Sequence, residues 1–365
     1  MPVDDRNTRV TNILEDFFES ATNEHIVINE DDYKNELDQL FATSAWGFRE
    51  ILLVVLVAMK LDPSFKASTG LYDCSPRAIY EGPIKEFLIE KNIPHRKSGP
   101  LNVAKATVGL DITWAAQRRP AYVAEQVVNL VNYLETPDEG KDVRINSLGI
   151  SLMKRLIAET IRVGELSVTI ERTSDPNHLY NLCYRLTVET PDSGNTPQKI
   201  SAFLLKNYHR YIFSSVTVTG EEDRASVTST TSKKPGDVNE ENLEKILKVY
   251  EVTVKKFDIA RIRDSYDCIS VYNDNNGTNI HEVIVVCRPE DCPDDMEPSG
   301  LCGYMGHFKY QDIVYYYWNI FEWYANTLQR MTDEGRMAFY MDLNNYINEI
   351  NTSETVKRLW HALHS

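Results

Sequence analysis

A chain of 365 residues with 42% apolar and 25% charged side chains is long enough for one large or two ordinary globular domains, each with its own core. Its net charge of −15 excludes a protein that coats nucleic acid indiscriminately, since phosphate neutralisation needs concentrated lysine and arginine, so the distribution of charge matters more than the sum. The N-terminal stretch has no basic segment leading into an apolar one, and six cysteines without a dense framework fit reduced thiols, so a cytoplasmic protein is expected.

In chain order, apolar residues at three and four spacing predict helices over residues 10–18, 36–41, 45–59, 79–89 and 121–134, an all-α region. The apolar run 51–59, bounded by Arg49, Glu50 and Lys60, is too short for a bilayer core of about 30 Å and predicts a buried helix rather than a membrane span. Proline and glycine break the pattern at Asp62-Pro63, Ser75-Pro76, Ser98-Gly99-Pro100 and Thr136-Pro137. Residues 136–141 are the expected boundary, giving a helical domain over 1–140 and a second domain over 141–365.

One stretch of the first domain departs from the acidic average. From Lys91 to Arg119 there are six basic side chains and the single acid Asp111, a local patch that would orient an anionic partner. Lysine and arginine fix register on a nucleic-acid backbone, and arginine, lysine and asparagine also read purine edges. Arg96, Lys97, Asn102 and Lys105 are therefore the first candidates for DNA contact. Arg118 and Arg119 rank second, because Pro120 puts them at a helix end where they would also cap carbonyls.

After a helix near 147–160, β-branched alternation predicts strands over 166–171 and 182–189, then a helix over 197–213 and a short strand over 214–219. Residues 220–235 carry little to bury and predict a mobile loop. A strand is expected over 249–255, a helix over 257–269, a buried strand at Glu282–Cys287, and helices over 311–329 and 333–351. The aromatic residues of 315–324 then lie on a helix, which is buried or forms a subunit contact. Cys287, Cys292 and Cys302, near His281 and His307, have donor chemistry for zinc but no CxxC knuckle, and are read as ordinary thiols.

Strand alternation over 249–255 would turn Glu251, Thr253 and Lys255 to one face and Val252 and Val254 to the other. Two carboxylates, Asp237 and Glu251, with Lys255 beside them, are the groups a phosphodiester hydrolase uses. Mg²⁺ takes oxygen ligands and needs only one or two protein carboxylates, while a cation beside the phosphate offsets developing charge.

Pro235-Gly236-Asp237-Val238 followed by Glu251-Val252-Thr253-Val254-Lys255 resembles the SacI-type restriction endonucleases, a branch of the PD-(D/E)xK nucleases in which Glu-Val-x-x-Lys stands in place of the common Glu-x-Lys. The likeness extends more thinly through 53–59, Tyr72-Asp73, Arg77-Ala78, Pro100-Leu101-Asn102 and 127–134. The resemblance implies an α+β fold: a helical N-terminal region, then a PD-(D/E)xK nuclease core with a mixed central sheet flanked by helices. It implies a sequence-specific type II restriction endonuclease that hydrolyses double-stranded DNA with Mg²⁺. Asp237 and Glu251 would hold the metal, and Lys255 would complete the catalytic set. The implied partners are double-stranded DNA, a second copy of the chain when bound to DNA, and a cognate DNA methyltransferase encoded nearby. The competing readings are a modification-dependent defence nuclease and a catalytically silent DNA-binding subunit of a defence complex.

Overall fold

The computed structural model describes residues 3–96, 99–105, 107–222, 234–243 and 245–365. The chain divides into two compact units, 1–165 and 166–365. The division falls later than the expected 136–141, because the helix Lys141–Gly164 buries Ile145, Leu148, Leu152, Met153 and Leu156 in the core of the first unit. Among the described residues no helix is long and apolar enough to cross a membrane.

Among its described residues the first unit has helices and turns and no strand. Numbering helices of eight residues or more, it contains α1 (Val3–Thr22), α2 (Lys34–Phe41), α3 (Trp46–Leu61), α4 (Ala121–Leu134) and α5 (Lys141–Gly164). As the apolar run predicts, α3 is the central pillar, with every residue from Ile51 to Met59 no more than 2% exposed. Burial of such side chains contributes roughly 1.5–3 kcal/mol each, which outweighs the modest helix propensity of their valines. The expected helix over 79–89 is broken: Gly82 leaves helical geometry and Pro83 supplies no amide hydrogen, leaving a π-turn between short helices.

Two charged groups are buried inside this pillar. The Arg49 guanidinium donates to the carbonyls of Leu40, Phe41 and Thr43 and lies 3.4 Å from Glu159, joining α2 and α5 to α3. Glu50 accepts from the Tyr80 hydroxyl at 2.8 Å and from the Arg96 amide at 2.5 Å. Burial pushes its carboxyl up to about 7 from an ordinary 4.5, against the lowering effect of those two donors. The folded state therefore holds a proton that the unfolded chain releases, so this contribution is complete below about pH 4.5 and is lost as pH rises through about 7. The displacement amounts to about 3 kcal/mol. Glu50→Gln should accordingly match the parent near pH 4 and exceed it in denaturation midpoint at pH 8; equal pH profiles for the two proteins would refute this.

The second unit is a mixed sheet between helical layers, α+β as expected. Its helices are α6 (Pro176–Glu189), α7 (Asn195–Tyr211), α8 (Ile259–Asn276), α9 (Ile320–Arg330), α10 (Asp333–Asn348) and α11 (Glu354–His364). Its strands are β1 (Thr217–Thr219), β2 (Val238–Asn242), β3 (Lys245–Val252), β4 (Glu282–Cys287), β5 (Glu297–Pro298), β6 (Tyr304–Tyr310) and β7 (Ile313–Asn319), ordered β1-β2-β3-β4-β7-β6-β5. The β3–β4 and β4–β7 pairs are parallel and the others antiparallel. β4, the predicted buried strand, is thus central, reached from β3 through the crossover helix α8. One face, with Tyr250, Val252 and Val286, packs on α6, α7 and α9–α11; the other, with Val249, Val283, Val285, Tyr315 and Tyr317, packs on α8.

Three expected elements are different here. Residues 166–171 form no strand, and the backbone of Val168 is satisfied instead by the side-chain amide of Asn348, at 3.1 and 2.9 Å. Residues 182–189 belong to α6: counting from Leu179, the buried positions Leu182, Cys183 and Leu186 have helical spacing, and Asp175 with Pro176 starts the helix. Residues 313–319 form β7, not a helix, with Ile313, Tyr315 and Tyr317 buried in alternation. The aromatic segment is therefore a strand running into α9, and Tyr315, Tyr317 and Tyr324 are taken up by the core, while Tyr316, Trp318, Phe321 and Trp323 are half-buried. The predicted loop falls mostly on 223–233, outside the described residues.

Candidate active site and nucleic-acid interface

Antiparallel pairing of Val238 with Tyr250 sets Asp237, at the mouth of β2, opposite Glu251 near the end of β3. Pro235-Gly236 crosses β3 so closely that a Cβ on Gly236 would stand 2.5 Å from the Val249 side chain and 2.9 Å from the Tyr250 carbonyl oxygen. Only glycine fits there, which explains the residue preceding the aspartate. Asp237 is held on two sides: its Oδ2 accepts the Val252 amide at 3.0 Å, and its carbonyl accepts from the Gln198 amide of α7 at 3.3 Å.

Glu251 faces α8 and is 6% exposed. The Ser265 hydroxyl of α8 donates to its Oε1 at 3.1 Å. Burial, and then the neighbouring Asp237 carboxylate, push Glu251 up to about 8; Arg261 and Ser265 pull the other way. Two carboxylates crowded in so little water disfavour each other's charge, and a divalent cation between them would reverse that balance.

Lys255 is not where the alternating pattern puts it. β3 ends at Val252, and the Thr253 hydroxyl then accepts the Lys255 amide at 3.0 Å, turning the chain. Strand alternation therefore stops before Lys255, whose exposed ammonium has no ion-pair partner among the described residues. Thr253 occupies the position of the lysine in the common Glu-x-Lys spacing. Arg261, in the first turn of α8, donates to its hydroxyl at 2.5 Å, stacks 4.9 Å over the Phe257 ring, and draws Glu251 toward its charged form. Asp258 starts α8 by accepting the Ala260 and Arg261 amides, both at 3.1 Å, which fixes where Arg261 emerges.

A comparison with protein-family models finds no match, and a comparison with curated proteins finds none. The functional reading therefore stands on the residues themselves. Asp237, Glu251 and Arg261 converge; Ser265, Gln198 and Arg261 were not singled out from sequence. On the sheet's opposite face, Glu240 is already occupied, 3.1 Å from His209 Nε2 and 2.9 Å from the Tyr250 hydroxyl.

Among the described residues no group of three or more histidine, cysteine, aspartate or glutamate side chains converges. The donor set at β2 and β3 is thus two carboxylates, which suits Mg²⁺, an ion that keeps several waters and takes one or two protein carboxylates. It does not suit a closed structural zinc site.

In the first unit, two of the candidate DNA-contacting residues lie over tryptophan rings. Arg96 lies 5.0 Å over Trp46, and Arg118 lies 6.0 Å over Trp114 and 3.4 Å from the Thr107 hydroxyl. The Trp114 indole donates to the Val103 carbonyl at 2.9 Å, joining the helical turns Gly99–Ala104 and Ile112–Ala116. Asn102 and Lys105 are exposed, whereas Arg119 donates to the carbonyls of Ala116 and Arg118, the capping role open to it from sequence. Lys97 lies outside the described residues.

Proposed function

We propose that this protein is a Mg²⁺-dependent endonuclease of double-stranded DNA with a PD-(D/E)xK core, acting as a sequence-specific restriction enzyme. The observation that carries this reading is the opposition of Asp237 and Glu251 where β2 and β3 pair, with Glu251 only 6% exposed. Bound there, Mg²⁺ would polarise the scissile phosphoryl group and lower the pKa of a coordinated water. Asp237 and Glu251 supply its protein oxygens. Ser265 fixes the Glu251 rotamer, while the glycine crossing and Gln198 fix the Asp237 backbone, so the two carboxylates meet the metal already oriented. Arg261 brings the positive charge that offsets charge developing on the phosphate, with Lys255 as the second candidate for that role. Arg96, Asn102, Lys105 and Arg118 supply DNA contacts from the first unit, and Lys97 belongs to the same basic segment.

A silent DNA-binding subunit is the second reading, favoured by the exposure of Lys255; Arg261 beside Glu251 speaks for activity. Digestion of unmethylated and methylated phage DNA in Mg²⁺ separates these readings. Discrete fragments of a constant pattern from unmethylated DNA are expected. Cutting confined to methylated DNA would replace the reading with a modification-dependent nuclease, and binding without cutting would leave the silent subunit. A palindromic target presents two equivalent phosphates, so a homodimer on DNA is part of the proposal.

A further inference from the structure

The second unit brings together three sulfur atoms that play no part in the carboxylate site. Cys287, the last residue of β4, is fully buried, and its Sγ lies 3.9 Å from Cys292 Sγ; Cys292 Sγ in turn lies 4.0 Å from Met305 Sδ. Both cysteines are free thiols. The short turn Pro289–Asp291 returns the chain from one to the other. That turn is rigidly held: Arg288 binds the Asp291 carboxylate at 2.7 and 3.1 Å and the Val254 carbonyl at 2.8 Å, and the Asp291 carbonyl accepts the Phe257 amide at 2.8 Å. Met305 is the extra residue of a bulge in β6, between Tyr304 and Gly306. Gly306 has φ 147°, and a Cβ on it would stand 2.1 Å from the Glu297 carbonyl oxygen, so the bulge requires glycine.

We propose that Cys287, Cys292 and Met305 form a binding site for one soft monovalent cation, copper(I), in trigonal sulfur coordination. A thiolate sulfur lies about 2.3 Å from a d¹⁰ ion of this row, so three sulfurs in a trigonal plane stand about 4.0 Å apart. The two separations in the structure match that spacing. They are far longer than the roughly 2.05 Å of a disulfide. Two thiolates with a thioether select copper(I) by softness, whereas zinc wants four donors and takes nitrogen or oxygen readily. The neighbouring acids and imidazole are engaged elsewhere: Arg288 binds the Asp291 carboxylate and lies 3.3 Å from Glu290, His307 lies against Glu297, and among the described residues no group of three histidine, cysteine, aspartate or glutamate side chains converges. Binding replaces the two thiol protons with the metal, one proton leaving each sulfur, with no change of oxidation state.

The test uses fully reduced, anaerobic protein carrying Cys302→Ser, which removes the exposed thiol, titrated with the copper(I)–bicinchoninate complex. One copper is expected to be withdrawn from the competitor, with a rise in melting temperature and three sulfur neighbours counted by X-ray absorption at the copper edge. Cys292→Ser and Met305→Leu should each weaken binding by at least about tenfold, while Cys74→Ser leaves it unchanged. Circular dichroism of each variant establishes that it is folded. No copper withdrawn, equal affinity in folded Cys292→Ser or Met305→Leu, or a two-sulfur count would overturn the site.

Discussion

Glu251→Gln is expected to lower Mg²⁺-dependent DNA cleavage by about 10³-fold or more and, in the same protein, to raise the stability of the metal-free form at pH 8. The first effect follows from losing one of two carboxylates that hold the cation, an interaction aimed at charge developing in the transition state. The second follows from the environment. Burial, then Asp237, push Glu251 from an ordinary 4.5 up to about 8, so the folded protein retains a proton that the unfolded chain gives up. That contribution to stability is complete below about pH 4.5 and is lost as pH rises through about 8, so a neutral glutamine spares the cost of the charge above that range. The gain should be on the order of a few kcal/mol and vanish near pH 4. Urea denaturation in chelator at pH 4, 6 and 8, beside a cleavage assay, measures both. A variant that is inactive and also destabilised at pH 8 would mean Glu251 is a structural group. Such opposition of stability and activity is expected where like charges are held together for a task.

The second large effect concerns which cation serves the site. Arg261→Ala should lower single-turnover cleavage by about 10²–10³-fold, with Arg261→Lys recovering part of the loss, while Lys255→Ala costs less than about tenfold. The reason is placement: Arg261 reaches the Thr253 hydroxyl and draws Glu251 toward its charged form, whereas Lys255 is exposed in the turn beyond β3. Filter binding in Ca²⁺ should show near-parental DNA affinity for both alanine variants, locating the defect in the chemical step. If Lys255→Ala is the more damaging of the two, the spacing shared with the SacI-type pattern describes the site better than the position of Arg261 does.

These particulars show what sequence patterns carry. The pillar α3 and the strand β4 were readable because each is one unbroken apolar run with polar ends, and the aspartate–glutamate pair because glycine and aspartate at a strand mouth precede an alternating segment. The limits of β3 were not readable. Polar Glu251, Thr253 and Lys255 alternate with Val252 and Val254, but the Thr253 hydroxyl takes the Lys255 amide and turns the chain away. β7 was misread because aromatic residues fill both its faces, which hides the two-residue period that the burial of Ile313, Tyr315 and Tyr317 reveals. Arg261 and Ser265 left no local signal, since they sit a helix turn apart on α8 and meet Glu251 only through the β3–α8–β4 crossover. The sulfur trio likewise depends on a bulge in β6 that no spacing announces.

The central claim, that Asp237 and Glu251 together hold the cation that cuts DNA, is tested most directly by single-turnover digestion of unmethylated phage DNA with the parent and Asp237→Asn side by side, in Mg²⁺ and in Ca²⁺. The account predicts fragments from the parent in Mg²⁺ alone, no fragments from Asp237→Asn in either ion, and DNA binding by both proteins in Ca²⁺. Cleavage by Asp237→Asn at the parental rate, or parental cleavage that persists in chelator, would contradict it.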